Sequence, residues 1–261
     1  MRLWQLASVA FFVYVMVLSA TRSGAHRAAR KALVAGTGGL LATWASSATD
    51  SRLLTEWIWP PALLLIAYWS SGLLFIAPRA GQEAALQSLD DRLHVRDFAT
   101  RTPRALAEIL EIAYAGVYLL IPLALAAHLA FAVSPDPDWF WSVVLITDFV
   151  CFAALPWIQT RPPRALEARA PWHASFRRFN VRMLGATSIQ ANTFPSGHAA
   201  EALVAALLVA GAPIGIVVVM SAAALAVSAG AGLGRYHFLA DALAGWAVAI
   251  AVFLLVGLTV P

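Results

Sequence analysis

The stretch Asn192-Thr193-Phe194-Pro195-Ser196-Gly197-His198 sets a hydroxyl, a glycine and a histidine side by side just ahead of a long apolar run. A helix is expected to begin there. The first N–H groups of a helix have no partner inside it and carry partial positive charge, so such an end takes up a phosphate readily. Gly197 lets an anion approach the backbone, Ser196 can donate a hydrogen bond to it, and His198 can protonate a leaving oxygen. Taken alone, the same residues also read as an ordinary Ser-Gly helix start with a polar histidine at headgroup depth.

Two more segments carry matching chemistry. Thr160-Arg161-Pro162-Pro163-Arg164 follows the preceding apolar run, and Gly234-Arg235-Tyr236-His237-Phe238-Leu239-Ala240-Asp241 opens the last one. In a helix, His237 and Asp241 are four residues apart and share a face. The carboxylate would then hold the imidazole in one tautomer and raise its nucleophilicity. Two histidines, a carboxylate and arginines around one helix end suit phosphoryl transfer without a metal or cofactor. A zinc site built from His198, His237 and Asp241 is conceivable, but Ser-Gly belongs to anion binding.

These segments resemble the type 2 phosphatidic acid phosphatase (PAP2) superfamily over about residues 57 to 258. Pro195-Ser196-Gly197-His198 matches its central motif, His237 and Asp241 match the His-x-x-x-Asp half of its last motif, and Arg161-Pro162 matches the end of its first. The resemblance implies a six-helix membrane core. It also implies that His237 takes the phosphoryl group, Asp241 orients it, His198 is the acid, and Arg161, Ser196 and Gly197 cradle the phosphate. Arg164 and Arg235 are further candidates for that cradle. The family's first-motif lysine is replaced by Ala154, and its Ser-Arg before the nucleophile by Gly230-Ala231. Arg235 would lie about 200° around a helix from His237, so it serves the site only where the backbone is irregular. Arg-Pro-Pro-Arg and the compact Arg-Tyr-His-Phe-x-x-Asp look more like the inositolphosphotransferase and sphingomyelin synthase branch. The function implied is a lipid phosphatase or phosphotransferase acting on a phospholipid or prenyl phosphate. A non-catalytic lipid-binding or transport protein on the same fold is the competing reading.

The elements that must position these residues are apolar. Of 261 residues, 61% are hydrophobic and 12% charged, about half the charge of a soluble domain. The expected fold is an all-α membrane bundle of six to eight spans, with 1–56 as N-terminal helices and 57–261 as the catalytic domain. The spans fall near 3–20, 32–49, 57–77, 105–133, 139–158, 198–212, 214–232 and 238–258. Residues 1–20 read as a retained helix; a cleaved signal peptide is the alternative, because Ser19, Ala20 and Ala25 follow. Gly36, Gly38 and Gly39 suggest close helix packing. Pro122 is placed to kink its span. Leu86, Leu89 and Leu93 mark a surface helix over 82–98. Trp172, Phe176, Phe179 and Met183 mark another, with Arg177, Arg178 and Arg182 turned elsewhere. His128 reads as a packed histidine, and Glu108 and Glu111 as structural acids tolerated near a helix start. Asp148, in mid-span, reads as a structural pair with a neighbouring helix or a proton relay. Glu201, three residues after His198, either tunes that histidine or is a benign acid. The single Cys151 permits no internal disulfide.

The net charge of +4 is not a nucleic-acid signal, because the arginines sit in loops beside apolar runs; the expected partners are the bilayer and a lipid substrate. With eight spans, loops 21–31, 78–104 and 159–197 share the catalytic side. They hold fifteen of the 18 Lys and Arg, Arg22 among them, against Arg2 and Arg52 opposite. The positive-inside rule then puts the site on the cytoplasmic face of a bacterial-type inner or plasma membrane.

Overall fold

A computed structural model describes residues 1–21 and 26–259. Among them the chain is an all-α membrane bundle with no strand. Its helices are α1 (Leu3–Thr21), α2 (His26–Ser47), α3 (Trp59–Gly72, preceded by a π-turn at Leu54–Ile58), α4 (Ala80–Arg92), α5 (Val95–Thr100) and α6 (Arg104–Phe131). They continue with α7 (Pro137–Ala154), α8 (Pro163–Leu166), α9 (Ser175–Thr187), α10 (Gly197–Leu208), α11 (Ile214–Leu233) and α12 (Leu239–Thr259). Five of these, α1, α6, α7, α11 and α12, are long and apolar enough to cross a membrane. Arg22 and Ala25, used above for charge placement and as part of a cleavage site, lie outside the described residues.

The helices start where local chemistry predicts. Asp136 caps α7, accepting from the Asp138 and Trp139 N–H groups with Pro137 in the first turn, a pairing that serves the otherwise orphaned donors. Ser196 caps α10 through the Ala199 N–H. The expected surface helix over 82–98 is instead two, α4 and α5, broken where His94 adopts a left-handed backbone at φ 51°.

α10 is the hub. It packs against α6, α7, α11 and α12, and Ala199, Ala200, Ala202, Val204 and Ala205 are sealed from solvent. At 12 residues it is shorter than a full crossing, which about 20 residues make. Its start is enclosed by protein, with Ser196, Ala199 and Ala200 sealed, whereas Ala210 and Gly211 just past its other end are exposed. Small residues let the neighbours close in: a Cβ on Gly245 of α12 would sit 2.5 Å from the Ser196 carbonyl oxygen, so α12 crosses the start of α10 backbone to backbone. A second close approach brings α1 onto α2, where a Cβ on Gly39 would meet the Phe12 ring at 2.4 Å.

The far end of the bundle gathers the N-terminus and two loops. Arg2 pairs with Asp138 at 3.0 Å, the Trp4 indole donates to Asp138, and the Trp141 indole donates to the Glu56 carbonyl. His128 is packed there as expected, between Trp139 and Phe140, accepting from the Asp136 N–H.

Candidate active site

At the opposite end, three segments distant in sequence are tied together by backbone bonds. The Asn192 N–H donates to the Thr160 carbonyl, the Ser196 N–H to the Asp241 carbonyl, and the Arg164 N–H to the Arg235 carbonyl. They enclose a cavity of about 320 Å³ lined by Gly197, His198, Glu201, His237 and Arg164, with Tyr68, Tyr114, Tyr118 and Tyr236 around them. Its apolar wall comes from Leu64, Leu65 and Trp69 of α3 and from Met183 and Leu184 of α9. Leu65 and Trp69 are also exposed on the outer surface of the bundle.

His198 and His237 face one another across this space with ring centroids 6.2 Å apart. Behind His237, the Asp241 Oδ2 stands 3.5 Å from Nδ1 and accepts the Phe238 N–H. One carboxylate therefore faces the ring and caps the start of α12. Burial, with the Arg164 charge second, pushes the His237 imidazole down to about 3, which favours its neutral form. His198 sits 5.4 Å from the rings of both Tyr114 and Tyr118, and its Nε2 is 3.2 Å from the Tyr118 hydroxyl. The arrangement sets two imidazoles and a guanidinium on the wall of one cavity.

The arginines divide. Arg164 reaches the cavity, its guanidinium on the Tyr236 carbonyl at 3.3 Å. Arg161 does not line it: the Nε and terminal nitrogen each sit 2.9 Å from the Glu83 carboxylate, and the backbone N–H binds the same group. That guanidinium holds Glu83 below the usual carboxylate range. Arg235 does have the irregular backbone required of it, at φ 61°. The turn carries it away from the cavity, however, to Asp90 and Glu167. A phosphate cradle at Arg235 is corrected on this ground, since its charge is already neutralised by two acids. Ser196 is buried, and its hydroxyl oxygen accepts the Ala199 N–H in the α10 cap, which leaves the O–H free to donate. Gly197 lines the cavity.

Glu83, Asp90, Tyr114 and Tyr118 escaped the sequence reading, whereas Glu108 and Glu111 are the structural acids it named. α4 turns Glu83 and Asp90 inward and leaves Leu89 and Leu93 exposed; the acids, seven residues apart, clamp Arg161 and Arg235. That i, i+7 spacing, which sets both acids on one helix face, was the available signal. Glu111, fully buried on α6, accepts from Trp172, Arg177, Asn180 and the Tyr236 hydroxyl. Arg177 is thus not turned outward, because the buried carboxylate draws it in, and it also donates to the Gly234 carbonyl. Glu108 caps α9 from outside, accepting the Ser175 and Phe176 N–H groups. Tyr114 and Tyr118, four residues apart in an apolar run, were the legible sign of a cavity wall.

Compared with known families, the chain matches the PAP2 superfamily over residues 80–255, more than half its length. No curated protein and no solved structure matches it.

Proposed function

The chain belongs to the PAP2 superfamily, and on that premise we propose that it is a membrane lipid phosphatase or phosphotransferase working through a phospho-histidine. The observation that carries this reading is the pair His198 and His237, set 6.2 Å apart across one cavity with Asp241 behind the second. With Nδ1 turned to Asp241, the nucleophile is His237 Nε2. It forms the N–P bond as the P–O bond to the lipid breaks, and His198 gives its proton to the departing oxygen. Bound phosphate brings the negative charge that favours a protonated His198. Water or an alcohol then attacks phosphorus, His198 takes the proton back, and the N–P bond breaks. Arg164 faces the charge that builds on the equatorial oxygens. The substrate is a phospholipid or prenyl phosphate, whose chain the wall formed by Leu64, Leu65, Trp69 and Met183 would accommodate. The expected outcome is that His237→Ala abolishes release of phosphate or phospho-headgroup from a panel of labelled lipids, His198→Ala slows it by orders of magnitude, and Asp241→Asn keeps a residual rate. Full activity in folded His237→Ala sinks the mechanism.

A further inference from the structure

Asp148 lies in the middle of α7 with 1% of its surface exposed, and neither carboxyl oxygen meets a hydrogen-bond donor among the described residues. The group facing it is another carboxyl, Glu201 on α10. Two carboxyls in contact can bond only through a proton held between them, which leaves their other lone pairs unserved. Buried polar atoms are ordinarily paired, and an ionisable group at membrane depth is costly, so this pair needs a partner that the described residues do not supply.

The pair meets the cavity through Glu201, with Asp148 sealed behind it. Glu201 lines the cavity beside Gly197 and His198, and Asp148 Oδ1 stands 3.4 Å from where a Cβ on Gly197 would lie. The nearby tyrosine hydroxyls are turned elsewhere, Tyr118 to His198 and Tyr68 to the Ile189 N–H. Three residues of helix, from His198 to Glu201, rise about 4.5 Å. A two-carbon link spans that distance from a phosphorus to the terminal group of its ester.

We propose that Glu201, backed by Asp148, forms a headgroup subsite that accepts a hydrogen bond from a hydroxyl or ammonium group on a phosphodiester lipid whose phosphate lies between His198 and His237. The proposal rests on the reaction given above. A phosphomonoester has no such donor, and its second negative charge would be set near the acids, so the pair selects a diester with a donor-bearing headgroup.

The test uses the full-length protein in mixed micelles with four lipids of identical acyl chains: phosphatidylglycerol, phosphatidylethanolamine, phosphatidylcholine and phosphatidic acid. The first two carry O–H and N–H donors, and the last two carry none on a headgroup. The expected kcat/KM is about tenfold or more higher for the first pair, the value of one hydrogen bond to a charged acceptor; the faster of the two tells hydroxyl from ammonium. Glu201→Gln gives Asp148 an amide donor and should collapse that ratio towards one, with Asp148→Asn as the second variant and thermal melting as the check on folding. Equal wild-type kcat/KM for lipids with and without a donor overturns the proposal, as does an unchanged ratio in either folded variant. Should no lipid turn over, the catalytic reading fails instead. Equilibrium binding of the same labelled lipids to His237→Ala then reads the subsite by itself: the same order of affinity upholds it and equal affinities overturn it.

Discussion

Arg161 and Arg164 are three residues apart and have different partners. Arg161 is tied to Glu83 by three bonds, whereas Arg164 lines the cavity. Removing Arg164 should therefore raise the barrier by about 2–4 kcal/mol, as for other groups that stabilise charge in a transition state. Arg161→Ala should chiefly lower the melting temperature. Steady-state kinetics beside thermal melting decide it: a larger loss of kcat in folded Arg161→Ala would mean that this guanidinium leaves Glu83 for the phosphate. The protonation of His237 is a second matter at this scale. With its imidazole pushed down to about 3 by burial and then by Arg164, it stays neutral as pH falls through the ordinary histidine value of about 6.5. Its rate of carbethoxylation, read by mass spectrometry, should be flat from about pH 7.5 to 5.5. A midpoint near the ordinary value contradicts the burial argument.

Among the elements, the short helices outside the apolar bundle determine where the catalytic loops lie. α4 holds the first and third segments through Glu83 and Asp90, and Asp90 also accepts the Leu239 N–H at the start of α12. α9 is bound to α6 and to the Gly234–Tyr236 turn through Glu111. Four side chains, Trp172, Arg177, Asn180 and Tyr236, meet on that one buried carboxylate, so its removal leaves Arg177 buried without a counter-charge. Breaking a buried pair in this way costs about 3–5 kcal/mol. Glu111→Ala should lose that much stability in detergent and most of its activity, because the turn that carries His237 is released. Arg177→Ala should behave alike, and the double variant should cost clearly less than the sum of the two. Additive losses would show that the two residues support the fold separately.

Across the whole molecule, the site and the N-terminus lie at opposite ends. Arg2 and Trp4 meet Asp138, and Trp139 of the same loop region packs on Phe253 near the end of α12 with ring centroids 5.8 Å apart. The C-terminal end of α12 therefore lies with the N-terminus, away from the cavity. Most Lys and Arg belong to the catalytic end, and the positive-inside rule then favours a cytoplasmic site. A C-terminal alkaline phosphatase fusion should be active and a green fluorescent protein fusion dark. The reverse pattern would mean an outward-facing site and an external substrate pool.

Sequence alone determined the class of the protein and the pair of histidines. Long apolar stretches with few charges allow only membrane helices, and Ser196, Gly197, His198, His237 and Asp241 sit at spacings that one helix start or one helical turn enforces. These are local matters, set by residues within a few positions of each other. Which charges face the cavity was not local. Arg161, Arg164 and Arg235 are equivalent as letters, and their partners Glu83, Asp90 and Glu167 come from 68 to 145 positions away. The same holds for Glu111, whose place beside Tyr236 spans 125 positions, and for Asp148, whose burial against Glu201 exists only once α7 and α10 are packed. A charge in a low-dielectric interior goes to the nearest counter-charge or donor, and tertiary packing alone decides which one that is.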